Sequence, residues 1–119
     1  MHTCSTDQRM LLVSHRSERA HILALRGEVD LDSVEPLRLA LDGAGRQGEE
    51  PVVLDLSAVQ FADTAMINAL LRARPRLGNR LRIAAPSALV MRLLRVLGLD
   101  TAFIIRDSQE AAAGAIPGP

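Results

Sequence analysis

Aromatic side chains are almost missing from this chain. Its 119 residues include two phenylalanines, Phe61 and Phe103, and no tryptophan or tyrosine. That removes the stacking platforms on which single-stranded nucleic acid is held. Lysine is absent, and the 14 basic residues, all arginine, balance 14 acidic ones to a formal net charge of zero. A neutral chain has no global attraction for nucleic acid or an anionic membrane. Cys4 is the only cysteine, which excludes an intrachain disulfide, a CxxC pair and a cysteine zinc site and suits a reducing cytosol. No apolar run approaches the ~20 residues needed to cross a bilayer. The opening MHTCSTDQRM has no signal-peptide hydrophobic region. The composition predicts a cytoplasmic protein without membrane insertion and without a nucleic-acid partner.

What is present is a 48% apolar fraction, enough for one folded domain. Residues 1–8 read as a flexible leader, 9–113 as a single domain, and 114–119 as a flexible Pro/Gly tail. Arg9–Ser14 and Ala20–Arg26 are strand candidates joined through the polar stretch His15–Arg19, with Gly27 as the stop. Asp32 and Glu35 fit a capping box ahead of a helix over 33–42, which Gly43, Gly45 and Gly48 should end. Pro51–Leu56 lacks alternation and reads as a strand buried on both faces. A second helix begins at Asp63 or Thr64 and should end near Arg74, because Pro75 disfavours the α region before it. Leu81–Ala85 is a strand. Ser87 caps a helix over 88–97, with Leu89, Leu93, Leu94 and Leu97 inward and Gly98 as its stop. Ala102–Ile105 is the last strand, and Asp107 is the expected cap of a short helix over Ser108–Ala113. Strands alternating with helices after an opening hairpin predict an α/β fold with a mostly parallel sheet.

The stretch from Pro51 to Leu71, PVVLDLSAVQFADTAMINALL, carries the most functional information. It sets Asp63 and Thr64 at a helix N-terminus beside a strand end, where outward N–H groups favour anions. Asp63 fits an N-cap. Asp30, Asp32 and Asp63 could share one end of the sheet, yet such carboxylates read as caps and solvated loop charges, and no metal site is assigned. Met66 reads either as cover for apolar surface or as an exposed, adaptable contact for a partner, and Ala65, Asn68, Ala69 and Arg72 follow at helical spacing. Arg72, Arg74, Arg76, Arg80 and Arg82 read as a solvated basic cluster that complements a helix C-terminus, with an acidic protein partner as the second reading. His2, His15 and His21 have no ligand spacing. Ser57 and Ser87 have no base near them in sequence, and Cys4 has no electropositive setting. No catalytic residue and no cofactor are assigned, and the chain is not expected to be an enzyme.

Several blocks together resemble a known family. Gly27-Glu28-Val29-Asp30, Val53-Leu54-Asp55-Leu56-Ser57, Phe61-Ala62-Asp63 and the stretch from Leu81 to Leu99 closing on Phe103 look like a STAS domain, the family that includes bacterial anti-sigma factor antagonists. The resemblance spans roughly residues 9–113. It implies a mixed, mostly parallel sheet of about five strands with about four helices packed mainly on one face. It also implies partner switching: the domain binds an anti-sigma factor that is also a serine kinase, and phosphorylation of a hydroxyl at the second helix N-terminus abolishes binding. A phosphate there would bring roughly −1.5 to −2 charges into a packed interface.

This chain departs from that pattern at the switch. The run is Asp63-Thr64-Ala65-Met66, so the acceptor slot holds Ala65 without a hydroxyl, and the usual glycine slot holds Met66. Thr64 carries a hydroxyl one residue early, about 100° around the helix, and is the remaining candidate for phosphorylation. Three readings follow. The first is an antagonist that binds an anti-sigma factor without the usual switch and so releases a sigma factor. The second is a STAS subunit contacting the ATPase of a bacterial ABC lipid-transport complex. The third, a small-ligand or nucleotide-binding domain, ranks last because no phosphate-cradling glycine loop is present. The expected partner-binding residues are Asp30, Asp63, Thr64, Ala65, Met66, Asn68 and Arg72, in a monomer or a homodimer.

Overall fold

The longest strands of the molecule, β2 (His21–Val29) and β3 (Val52–Ala62), run parallel through its centre. The computed structural model describes residues 9–46 and 48–114. The expected leader, with Cys4 and His2, and residues 115–119 lie outside these. β1 (Met10–Arg16) pairs antiparallel with β2, whereas β4 (Leu81–Ala84) and β5 (Ile104–Arg106) extend the sheet in parallel. The strand order is β1-β2-β3-β4-β5. Between the strands lie α1 (Glu35–Arg46), α2 (Thr64–Leu77) followed by a 3₁₀ turn, and α3 (Ala88–Val96). α4 (Gln109–Ala113) follows β5.

Side-chain alternation sorts the sheet into two faces. Leu23, Leu25, Leu54, Leu56 and Ile83 form one core with Leu37 and Leu41 of α1, Ile67 and Leu70 of α2, and Val90 and Leu94 of α3. On the opposite face Ile22, Val53 and Ala84 meet Ala112 of α4. Three helices therefore cover one face and the short α4 covers part of the other. This is the expected mixed α/β sheet with helices mainly on one side, and the unbroken apolar run Val52–Leu54 is buried on both faces.

Several element boundaries differ from expectation. Gly27 does not end β2, which continues to Val29. Gly27 sits at φ +93 beside a register shift, and a Cβ there would lie 2.1 Å from the Arg9 carbonyl oxygen. Only glycine suits both the positive φ and that approach. α1 runs past Gly43 to Arg46 because Leu41 and Ala44 are buried; that burial outweighs the ~1 kcal/mol cost of a helical glycine. The capping box at Asp32 is not formed. Ser33 and Asp30 close a turn on each other, and Glu35 pairs with Arg38. β3 runs six residues beyond Leu56, because Ala58, Val59, Phe61 and Ala62 keep pairing with β2 through two register shifts. α2 continues through Pro75, burying Leu77 and ending where the Gly78 N–H reaches the Arg74 carbonyl. β5 starts two residues later than expected, at Ile104. Ser108, not Asp107, caps α4 through the Ala111 N–H.

Candidate functional site

Asp63 fixes the start of α2. Its N–H donates to the Val29 carbonyl at 3.2 Å, tying the helix to the end of β2. Its extended backbone and its Oδ1, which accepts the Ala65 N–H at 2.8 Å, make it the N-cap. Thr64, the first helical residue, is exposed, and Ala65 is half-buried. The expected acceptor slot thus lies at the rim of the helix, with Thr64 beside it.

Met66 is a correction. It is fully buried, on the inward line that continues through Leu70, Ala73 and Leu77. Spacings of four, three and four residues keep these side chains on one side of a helix. Met66 fills core space beneath the site and offers no surface to a partner. Ala69, expected on the outer stripe, is also buried, at 4% exposure.

Asn68 and Arg72 do face outward, and with Ala65 they line a groove between α2 and α1. Leu31, Val34, Glu35 and Arg38 form its other wall, enclosing about 300 Å³. A second hollow of about 200 Å³ prolongs it past Arg38, Leu41 and Ala73 to Asp42 and Arg76. The Arg76–Asp42 pair, 2.7 Å long, ties the two helices together at that end. Leu31 was not among the expected site residues, yet it is 78% exposed at the mouth of the groove. Its signal in the sequence is a leucine between two aspartates, off the stripe of the helix that follows.

Asp30 is committed elsewhere. Its carboxylate accepts the Asp32 and Ser33 N–H groups and the Ser33 hydroxyl, and pairs with Arg9 at 3.1 Å. Arg9 also reaches the exposed Asp32 at 3.3 Å. Asp30 therefore organises the β2–α1 turn that presents Leu31. Among the described residues no three His, Cys, Asp or Glu side chains gather as a metal site.

The arginine run divides: Arg72, Arg74 and Arg76 are exposed, with Arg74 and Arg76 in the last turn of α2 as expected, whereas Arg80 and Arg82 are drawn into the structure. Arg74 lies over the Phe103 ring at 5.7 Å. Arg80 donates to the Glu50 carbonyl at 3.1 Å. Arg82, only 9% exposed, donates to the carbonyls of Asn79, Ala112 and Gly114 at 2.7–3.0 Å and so fastens α4 to the sheet. Burial, aided by the charge of Arg106, lowers its pKa. Arg72 and Arg76 are the members of the run that line the groove between α1 and α2, and Arg76 is tied to Asp42.

Ser57, Ser87 and His21 make contacts within the scaffold. Ser57 donates to the Asp55 carboxylate, which also accepts from Gln109 of α4, and the Ser87 hydroxyl caps α3 by accepting the Val90 N–H. Burial raises the Asp55 pKa, but the bonds from the Ser57 N–H, Gln109 and the Ser57 hydroxyl together leave it below the usual value. His21 Nε2 lies 2.6 Å from the Ser14 hydroxyl, and its buried Nδ1 has no partner.

A family model described as "Mlab, STAS domain" matches residues 13–106. No curated protein matches the chain. Solved structures resemble it at low identity. An anti-sigma factor antagonist from Mycobacterium paratuberculosis superposes with a TM-score of 0.77 at 22% identity, covering 87% of this chain and 90% of that one. The anti-sigma factor antagonist SpoIIAA, in its unphosphorylated form, gives 0.71 at 20% identity, with 86% and 92% covered. The murine anion transporter Slc26a9, in its inward-facing state, gives 0.66 at 17% identity, with 82% of this chain matched to 18% of the transporter. None of the three is described as an enzyme. Among the described residues no helix is long and apolar enough to cross a membrane.

Proposed function

This chain belongs to the STAS-domain family, and we propose that it is a non-enzymatic docking module that acts as an anti-sigma factor antagonist in the cytoplasm. Its contact surface is the N-terminal turn of α2 together with the α1–α2 groove: Thr64, Ala65, Asn68 and Arg72, with Leu31 at the mouth. Asp63 and Asp30 hold this surface in shape rather than touch the partner. The observation that carries the reading is the groove itself, where an exposed leucine and a small-residue helix face meet beside an Asp-capped helix start. An apolar anchor beside a shallow, small-residue cleft is what a protein partner can fill.

Ala65 shapes the regulation. Without a hydroxyl at that slot, binding is not switched off by modification there. Thr64 is exposed and is the remaining acceptor on this turn. A second reading, a subunit contacting the ATPase of a transport complex, draws on the fold shared with a domain-sized part of the transporter Slc26a9.

The test is co-purification of the tagged protein from its native lysate, with mass spectrometry of partners and of Thr64, followed by titration of the recovered partner. Thr64→Asp keeps a good first-turn residue, so the fold should survive by circular dichroism. Its affinity should fall at least about tenfold, or about 1.4 kcal/mol. Unchanged affinity would remove the α2 N-terminus from the interface. Recovery of a transporter ATPase with membrane subunits would replace the sigma-factor reading by the second one.

A further inference from the structure

The leucine stripe of α3 is wider than the core uses. Val90 and Leu94 are fully buried, but Leu89 and Leu97, both expected to point inward, are 38% and 42% exposed, and Val96 is 74% exposed. With the half-buried Leu93 they stand at i, i+4, i+7 and i+8, which is one contiguous strip along a helix. α3 packs on β3, and the Ser87 N–H donates to the Leu56 carbonyl at 3.2 Å, so the strip is held on a rigid support. Next to it stand Arg92 and Arg95, both exposed, neither with a side-chain hydrogen bond or ion pair among the described residues. The helix carries no acidic residue.

An apolar strip bordered on one side by unpaired cations selects its occupant by charge. A second copy of α3 is disfavoured, because two-fold packing of the strip on itself would gather four arginines at one contact. Nine residues, about 13 Å of helix, with two cations on a chain of zero net charge give little hold on a bilayer. A protein segment that brings its own apolar stripe and acidic flank satisfies both features. We infer that α3 is a docking ridge for an acidic amphipathic helix of a protein partner. The ridge uses none of the residues assigned to the α1–α2 groove and stands whether or not the groove binds an anti-sigma factor.

The test uses the full chain, ¹⁵N-labelled, and a probe peptide: an amphipathic helix with leucines at i, i+3, i+4 and i+7 flanked by glutamates. A twin peptide carries arginines in place of the glutamates. The acidic peptide should shift the amide signals of Leu89, Arg92 and Val96, and raising the salt should weaken it. Val96→Ser, an exposed change that leaves the core intact, should weaken binding about tenfold, or about 1.4 kcal/mol. The double change Arg92→Ser, Arg95→Ser should abolish the preference for the acidic peptide over its twin. Equal shifts from both peptides, or none at α3 from the acidic one, would overturn the inference. So would flotation of the chain with phosphatidylglycerol vesicles in a Val96-dependent way, or a sedimenting dimer that Val96→Ser dissolves.

Discussion

Ala65 and Met66 are neighbours in sequence with opposite fates, since one step of about 100° turns the first to the rim and the second into the core. Read from the sequence, the pair is ambiguous: a small residue and a flexible apolar one suit an interface as well as an interior. Only the buried line through Leu70, Ala73 and Leu77 decides it. His21 gives the residue scale a pH dependence. Burial lowers its pKa, the charges of Arg16 and His15 lower it further, and Glu50 opposes them. The protonated ring carries an N–H on both nitrogens, and Nδ1 is buried without an acceptor. With a folded pKa below 6.5, the unfolded chain binds more protons in the window just under that value. Stability should therefore be level above pH 6.5 and fall as the pH drops below it. Urea midpoints at about pH 7.5, 6.5 and 5.5 should show this fall, and His21→Gln should reduce it. Glu50, lowered mainly by its hydrogen bond from Arg16, and Asp55 add a further loss in more acidic solution, as each is protonated toward its depressed folded value.

At the scale of the element, two glycines make opposite predictions. Gly43 lies inside α1, and an added methyl there would meet nothing within 4 Å, so Gly43→Ala should raise stability by about 0.5–1 kcal/mol. Gly27→Ala should lower it by at least about 1–2 kcal/mol from the positive φ alone, with the Arg9 carbonyl clash in addition. Chemical denaturation measures both. These glycines also mark where sequence reading reaches its end. The alternation of strands and helices, the caps at Asp63 and Ser87 and the stop at Gly98 were legible because each is local. The far half of β3 was not, since Ser57 to Ala62 carries no regular alternation and owes its strand form to pairing with a bulged β2. The ends of α1 and α2 escape the sequence for a related reason: buried Ala44 and Leu77 prolong helices that a glycine or a proline would stop in isolation. Of the site, the helix start was legible and the groove was not, because Leu31 and Arg38 reach it from another part of the chain.

The whole molecule is closed by α4, which lies alone among the described helices on the far face of the sheet. Little apolar surface holds it, chiefly Ala112 against Ile22, Val53 and Ala84. Its polar ties are Gln109 to Asp55 and Arg82 to its last carbonyls. Arg82→Leu should therefore free α4 before it disturbs the rest. Hydrogen exchange should quicken at least about tenfold at Ala111 and Ala112, with a global loss of about 1–3 kcal/mol from bonds to a charged donor. Uniform exchange rates in wild type and variant would show that α4 is held by packing alone.

The strand order adds a consequence for synthesis. Neighbours in the sheet are neighbours along the chain, from β1 to β5. As the polypeptide leaves the ribosome, every new strand meets an edge that is already built, and none has to wedge itself between two that have paired. The nascent chain can grow its sheet from the first hairpin outward, in the direction of translation, with one helical crossover to close before each later strand docks.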